Sequence, residues 1–174
     1  MKPLTLNEYQ RLVDNSVVLE EDGHGLKVLE TSDGHIIKIF RQKRVLSSAV
    51  VKSYASRFIK NARTLSSLGI KTIAVKDVWF CKPIKRTLVS YQPIPGRPLR
   101  EVLQNREHLE KLIGGFAVFF AGLHEQGVLF RSIHLSNVII SESLDTFGLI
   151  DFADMKISSH RLSRQRRLRN FRHL

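Results

Sequence analysis

The chain has 174 residues, of which 43% are hydrophobic and 25% charged, as in an ordinary globular protein of one domain or two small lobes. This length excludes a TIM barrel, and this composition excludes collagenous and disordered proteins. The single cysteine, Cys81, excludes an internal disulfide framework and a zinc site of several thiolates. It fits a reducing compartment such as the cytoplasm.

The chain shows neither of the two sequence patterns that direct a protein into or across a membrane. Its first residues mix polar and apolar side chains, without the continuous apolar stretch of a secretion signal. The longest apolar run, residues 112–123, is too short to span a bilayer, and it predicts a buried core helix. We therefore expect a cytoplasmic protein.

The first half of the chain alternates between strand-like and helical patterns. Short β-rich runs, separated by glycine-containing turns, predict an antiparallel meander over residues 16–21, 25–31 and 35–41. Apolar residues at spacings of three and four then predict a helix over residues 47–68 that ends at Gly69. Strand-like composition returns at residues 72–81 and 86–92.

The second half follows a stiff, turn-prone, proline-rich segment at residues 93–98. Helical composition predicts two helices, at residues 99–105 and 107–126. Short apolar runs separated by polar turns then predict strands at residues 128–133, 137–141 and 146–152. This order of elements predicts an α+β fold.

Positive charge is concentrated in two blocks that contain neither Asp nor Glu. Residues 41–76 carry +9 and residues 156–174 carry +7, which together are 16 of the 28 basic residues. A solvated face usually interleaves both signs, so the blocks indicate an anionic partner: nucleic acid, phospholipid headgroups or a phosphorylated glycolipid. A basic surface without function is the alternative, because net charge also serves solubility.

One stretch of sequence resembles the catalytic loop and metal-binding segment of the protein-kinase-like fold. It runs Gly-Val-Leu-Phe-Arg-Ser-Ile-His-Leu-Ser-Asn-Val-Ile-Ile from residue 127, followed by Gly-Leu-Ile-Asp-Phe-Ala-Asp from residue 148. The resemblance implies that Asn137 and Asp151 hold a magnesium ion bound to the ATP phosphates. A capping carboxylate at a strand end is the alternative for Asp151.

The remaining cofactor-binding candidates lie in the first half of the chain. Lys38, in Ile-Ile-Lys-Ile-Phe, resembles the kinase lysine that holds the α and β phosphates. A plain strand residue that points to solvent is the alternative. Gly23 and Gly25 would let backbone N–H groups approach phosphate, but hairpin turns use glycine as well. Tyr91 completes the set, so ATP and Mg²⁺ are the expected cofactors.

The catalytic candidates are Ser132, His134 and Asp151. Ser132 stands where kinases carry the catalytic-loop aspartate, and its hydroxyl cannot act as a carboxylate base near neutral pH. His134 lies where small-molecule kinases carry the second histidine of the loop. A buried structural histidine is the alternative for this residue.

The predicted helix at residues 47–68 is a second departure from the kinase pattern, because it contains neither Asp nor Glu. The usual glutamate partner of Lys38 is therefore absent, and Asn61 is the nearest polar substitute. A general base contributes about 10²- to 10⁴-fold to such a reaction, so a slow kinase is compatible with the sequence.

Among kinase-like families, the sequence resembles the bacterial lipopolysaccharide core kinases, including heptose and Kdo kinases, and the short toluene tolerance proteins. The residues that carry this resemblance are the helix end at residues 61–70 and the Arg-rich stretch at residues 164–172. The resemblance implies a compact two-lobed fold. Residues 1–92 would form an N-lobe with an antiparallel sheet and one helix, residues 93–98 a hinge, and residues 99–174 a small, mostly helical C-lobe.

The same resemblance implies an activity and a location. The substrate would be the anionic lipopolysaccharide core of a membrane glycolipid, and the protein would lie peripherally on the inner membrane with both basic blocks on the anionic bilayer. A catalytically impaired pseudokinase that acts as a membrane scaffold or regulator is the alternative. Nucleic acid is the least favoured partner, because no nucleic-acid-binding module is recognisable and aromatic residues do not alternate with the basic residues.

Overall fold

The structure is a computed structural model that describes residues 1–42, 53–106, 108–131 and 133–171. The strands are β1 Lys2–Leu4, β2 Ser16–Asp22, β3 Gly25–Thr31, β4 Ile36–Arg41, β5 Lys71–Thr72, β6 Ala74–Cys81, β7 Arg86–Gln92, β8 Arg97–Pro98, β9 Val128–Leu129, β10 Val138–Ile140, β11 Phe147–Leu149 and β12 Lys156–Ile157. The helices are α1 Leu6–Asp14, α2 Tyr54–Ser67, α3 Leu99–Gln104, α4 Leu109–Glu125 and α5 Arg164–Phe171, with a 3₁₀ turn at Leu135–Asn137.

The chain divides into two units. The first comprises Met1–Ile59 and Ile73–Pro93, and the second comprises Lys60–Thr72 and Ile94–Leu174. The division falls inside α2, so this helix contributes its first residues to one unit and the rest to the other. No helix within the described ranges is long and apolar enough to cross a membrane.

The first unit is built on a six-stranded sheet in the order β1-β6-β7-β4-β3-β2. Strands β2, β3 and β4 form the predicted antiparallel meander, and β7 continues it by pairing with β4 and β6. The short strand β1 adds a parallel pair at the edge of β6, which the sequence did not predict. It occupies an edge whose backbone groups would otherwise lack sheet partners.

Helix α1 was also missed, although its start carries a recognisable sequence signal. Thr5 Oγ1 accepts a hydrogen bond from the Glu8 backbone N–H at 3.2 Å, and the Thr5 N–H donates to the Glu8 carboxylate at 2.7 Å. This reciprocal pair is a capping box, for which Thr-x-x-Glu is the pattern. The helix packs on the core of the sheet through Tyr9, Leu12 and Val13.

Strand β4 contributes side chains to both faces of the six-stranded sheet. Ile37 and Ile39 belong to the core under α1, and the intervening residues project to the opposite face because side chains alternate along a strand. On that opposite face the ring of Phe40 lies 5.4 Å from the ring of Phe58 in α2. Lys38 shares this second face.

Helix α2 confirms the predicted helix over the part of it that the structure describes, while residues 47–52 of the prediction lie outside the described residues. It buries an apolar stripe at spacings of three and four, formed by Ala55, Phe58, Ala62 and Leu65. It ends before Gly69, whose φ of +73° is the left-handed conformation that glycine adopts without strain.

The second unit combines helices α3, α4 and α5 with a small sheet in the order β5-β11-β10-β8 and an antiparallel pair, β9 and β12. Arg97 and Pro98, predicted as part of a hinge, form β8. Helix α4 buries Leu112 and Phe120, but Val118 is 75% exposed. The predicted buried core helix is therefore buried along one face only, as in an amphipathic helix.

Candidate functional site

The β10–β11 hairpin places the two predicted metal ligands at the same end of the hairpin. Val138 pairs with Leu149 across the hairpin, and the Ile150 N–H donates to the Asn137 carbonyl at 3.0 Å. Asn137 therefore accepts this hydrogen bond and Asp151 directly follows its donor, although the two residues lie 14 positions apart in the chain. The structure brings together the pair that the sequence proposed.

Asp151 has a left-handed backbone, with φ of +53°. This conformation costs a residue with a side chain about 1–2 kcal/mol, so it persists only where the neighbouring residues impose it. The Ile150 N–H is fixed by Asn137, and the carbonyl of Phe152 accepts a bond from Asn61. Asp151 itself is exposed to solvent.

Asn61 holds the segment that follows Asp151. Its side chain is 7% exposed, and its Nδ2 donates to the carbonyls of Phe152 at 2.8 Å and Met155 at 3.1 Å. We call residues 152–155 the anchored turn. Both N–H groups of the Asn61 amide are therefore committed to this turn. The sequence signal for this anchoring role was a single amide side chain beside the apolar stripe of α2.

The residues at the hairpin end fit a magnesium ion bound to phosphate. An amide oxygen and a carboxylate are hard oxygen ligands, and magnesium usually takes one or two carboxylates and completes its shell with water and phosphate oxygens. Within the described part of the chain, no group of three or more His, Cys, Asp or Glu residues forms a metal site. Two oxygen ligands from the protein, as Asn137 and Asp151 would supply, suit a metal whose remaining ligands are water and phosphate oxygens.

His134 is exposed, so the alternative of a buried structural histidine is wrong. It precedes the 3₁₀ turn with an extended backbone, and its carbonyl accepts a hydrogen bond from the Asn137 N–H at 2.8 Å. Next to it, Ile133 is fully buried and anchors the loop. Ser132 lies outside the described residues.

Lys38 and Tyr91 belong to the first unit, where they share Phe58 as a neighbour. The Nζ of Lys38 lies 5.8 Å from the centroid of the Phe58 ring, and the rings of Phe58 and Tyr91 are also 5.8 Å apart. Lys38 is half-buried on β4, between Val28 and Val89 of the neighbouring strands. The sequence missed Phe58 as a site neighbour because its helical spacing marked it only as a core residue.

Gly23 lies in the two-residue turn between β2 and β3, and Gly25 is the first residue of β3. Gly25 has φ of +104°, and the Asp22 carboxylate accepts the His24 N–H at 2.8 Å. That backbone hydrogen bond is the main reason that the pKa of Asp22 lies below its usual value. The Arg86 guanidinium donates to the His24 carbonyl at 3.0 Å. The turn therefore satisfies several of its own polar groups, and phosphate binding there stays a prediction.

No family model and no curated protein matches this chain. Among solved structures, the bifunctional kinase-methyltransferase WbdD matches with a TM-score of 0.52 at 18% identity, over 75% of this chain and 30% of that chain. Monomeric WbdD matches with the same score and identity over 75% and 32% of the two chains. WbdD in a co-crystal with the kinase inhibitor LY294002 matches with a TM-score of 0.50 at 20% identity, over 76% and 31%.

These likenesses show a kinase-like α+β fold, as the sequence predicted. The chain spans about a third of the length of WbdD. In all, 1340 chains of solved structures match, and a fold this widespread carries many functions. The fold alone does not identify the activity, so the side chains at the site have to support it.

Proposed function

We propose that this protein is a kinase-like phosphotransferase that uses ATP and magnesium. The observation that carries the proposal is the pairing of Asn137 and Asp151 at one end of a hairpin, with Asp151 held in a left-handed conformation. Phosphoryl transfer depends mainly on positioning and electrostatic stabilisation, and a fixed pair of oxygen ligands supplies both.

Each candidate residue has a role in this proposal. Asn137 and Asp151 would hold the magnesium ion, which when bound neutralises negative charge on the phosphates. Lys38 would bind phosphate oxygens, with Tyr91 beside it, and the Gly23–Gly25 turn would contribute backbone N–H groups.

In the transfer itself, the bond from the γ phosphorus to the oxygen of ADP breaks and a bond to the acceptor hydroxyl oxygen forms. His134 would accept the hydroxyl proton, because its exposed ring lies within the loop. Ser132 would donate a hydrogen bond to the acceptor.

For the acceptor, we propose a sugar hydroxyl of an anionic glycolipid such as the lipopolysaccharide core, at the cytoplasmic face of the inner membrane. The resemblance of the sequence and the two basic blocks support this substrate. Of the apolar residues near the end of the chain, Leu162 is only 3% exposed, whereas Leu168 and Phe171 are more than half exposed. Leu168 and Phe171 would therefore be the residues that contact the bilayer beside the arginines of α5.

A pseudokinase that binds nucleotide and acts as a scaffold is the second candidate. It is favoured by Ser132 in place of the loop aspartate and by the absence of any carboxylate from α2.

Thermal unfolding with ATP, with magnesium and with both tests the nucleotide site. Ligand that binds only the native state raises the melting temperature, so we expect a rise that requires both. Asp151→Asn should weaken ATP–magnesium binding by at least about 100-fold. Even the loss of a residue that only hydrogen-bonds to a metal ligand lowers metal affinity by about 10- to 100-fold. Glu142→Gln, which removes an exposed carboxylate from the β10–β11 loop, is the matched control and should keep the rise. An equal rise in Asp151→Asn would contradict the assignment.

Transfer of phosphate from ATP to purified core oligosaccharide separates the two candidates. Sustained transfer that is lost in Lys38→Met would exclude the scaffold, whereas ATP–magnesium binding without transfer would favour it. The Lys38→Met protein should first be shown to unfold with the same cooperativity as the wild type.

A further inference from the structure

The second unit contains a cavity of about 480 Å³ that four basic side chains line, those of Arg131, Lys156, Arg166 and Arg169. Apolar side chains such as Leu129 and Leu162 also line it, and among the residues that the structure describes no Asp or Glu contributes to the wall. We call this the cationic cavity. Its four cations come from three separate segments of the chain, so the fold has gathered them.

The walls of the cationic cavity are fixed by backbone pairing. Leu129 of β9 pairs with Lys156 of β12, and the Ser158 N–H donates to the Gly127 carbonyl at 3.0 Å. A Cβ atom at Gly127 would lie 2.3 Å from the Ser158 carbonyl oxygen, so only glycine fits there. Two strands therefore hold one side of the cavity at a set distance.

Helix α5 forms the opposite wall and is held by buried polar contacts. Asn170 is 1% exposed, its Nδ2 donates to the Phe130 carbonyl at 2.6 Å, and its Oδ1 lies 3.2 Å from Nε2 of His124. Arg166 and Arg169 are three residues apart, so they lie on one face of this helix. That face lines the cavity.

Arg167, which lies between Arg166 and Arg169 in the sequence, differs from the cavity cations in its ion pairing. Arg167 donates to the Glu125 carboxylate at 2.7 Å and to the Leu162 carbonyl at 2.8 Å, so its charge has a partner. Across the residues that the structure describes, no ion pair includes any of the four cavity cations. Like charges that converge without a counterion repel one another, and an anion in the cavity would relieve this repulsion.

We infer that the cationic cavity binds a phosphomonoester group. Arginine guanidinium groups form paired, charge-assisted hydrogen bonds with phosphate oxygens, and a phosphomonoester carries nearly two negative charges at neutral pH. Several cations around one small cavity match that charge density better than they match a single carboxylate.

The position of the cavity suggests which phosphate it takes. Arg131 directly precedes the candidate residue Ser132, and Lys156 directly follows the anchored turn. Arg131 and Lys156 therefore adjoin the candidate functional site in sequence, and both also line the cavity. In the proposed transferase the bound group would be a phosphate already present on the acceptor, and this assignment rests on the proposed function. The anion site itself does not.

Binding of inorganic phosphate and of glucose 6-phosphate, measured by titration calorimetry at constant ionic strength, tests the inference. Arg166→Gln/Arg169→Gln should weaken both by about tenfold or more, because each charge-assisted hydrogen bond to phosphate contributes strongly. Arg100→Gln/Lys111→Gln removes the same charge from exposed residues of the second unit that lie outside the cavity and outside both basic blocks, and should retain the affinity. Equal weakening in both variants, or none in the first, would overturn the cavity as the site.

Two further arms identify the source of the phosphate. Glucose 6-phosphate that binds while glucose does not assigns a sugar-borne phosphate. Sedimentation with phosphatidylcholine vesicles that contain phosphatidic acid, lost in Arg166→Gln/Arg169→Gln but not in the control, assigns a lipid phosphate. Because these titrations contain no nucleotide, their failure is distinct from a failure of the ATP–magnesium experiment, which tests Asp151.

Discussion

Two regions of the second unit offer opposite charges to a ligand. The hairpin end presents the amide of Asn137 and the carboxylate of Asp151, which we propose as metal ligands, whereas the cationic cavity presents a lysine and three arginines. The first comes from one contiguous stretch of sequence and the second from three. The hairpin end suits a cation that is bound to phosphate, and the cationic cavity suits a phosphate group without a bound cation. A transferase that acts on a phosphorylated acceptor needs both.

The anchored turn lies between the two regions along the chain. Asp151 precedes it and Lys156 follows it, while Asn61 holds both of its ends by hydrogen bonds. The Met155 N–H also donates to the Phe152 carbonyl at 3.1 Å, which closes the turn. The comparison therefore predicts that some substitutions affect both regions and others mainly the cavity.

Asn61→Leu should have the largest effect and should affect both regions. It leaves the buried Met155 carbonyl without its Asn61 donor and removes one of the two donors to the buried Phe152 carbonyl. At about 1–3 kcal/mol for an unsatisfied group and about 1 kcal/mol for a lost hydrogen bond, the two losses together cost about 2–4 kcal/mol. We expect the melting temperature to fall by about 5–15 °C for a chain of this size. Binding of ATP–magnesium and of phosphate should weaken together. Arg63→Leu, exposed on the same helix, is the control, and an unchanged melting temperature in Asn61→Leu would break the link between the two regions.

Asn170→Leu should have a smaller effect, concentrated on the cavity. It removes the donor to one buried carbonyl, that of Phe130, and should cost about 1–3 kcal/mol. Because α5 carries Arg166 and Arg169, phosphate affinity should fall more than ATP–magnesium affinity. Gln165→Leu, exposed on the same helix, controls for the added apolar side chain. Equal losses for the two ligands would contradict the separation of the regions.

The smallest predicted effect is a pH dependence of the free energy of unfolding that arises from His124, which contacts Asn170 of α5. Burial lowers the pKa of His124, against the opposing effect of its bond to Asn170. The unfolded chain then binds more protons than the native state as the pH falls below about 6.5, so the free energy of unfolding should decrease with acidification.

Urea unfolding at about pH 7.5 and about pH 5.5 measures this decrease. His124→Gln should show a smaller loss of stability between the two conditions than the wild type, even where its stability is lower at both. Parallel losses in the two proteins would show that His124 does not contribute. Asp33 does not interfere, because its pKa is lowered to about 2 by bonds from Thr31 and His35 and it titrates well below this range.

The sequence predicted those parts of the molecule that depend on local patterns. Short β-rich runs between glycine-containing turns predicted the meander, helical spacing predicted α2, helical composition predicted α4, and the motif predicted the ends of the β10–β11 hairpin. Helix α1 was predictable from Thr5 and Glu8, whose pairing is local as well.

The cationic cavity was not predictable, because its residues meet only through the fold. Arg166 and Arg167 are adjacent and chemically identical, yet Arg166 lines the cavity while Arg167 binds Glu125. The charge of a block is visible in the sequence, but the division of its residues between partners is not. The role of Asn61 was hidden for the same reason, since its partners are 91 and 94 residues away.

Paramagnetic broadening by manganese in place of magnesium tests the central claim most directly, because carboxylate, amide and phosphate oxygens bind both ions. Amide resonances of the isotope-labelled protein would be recorded with manganese, with and without ATP. The account predicts that ATP produces selective broadening around Asn137 and Asp151 and that Asp151→Asn abolishes it. Broadening that is absent at these residues, or that persists unchanged in Asp151→Asn, would contradict a nucleotide-dependent metal site at the hairpin end.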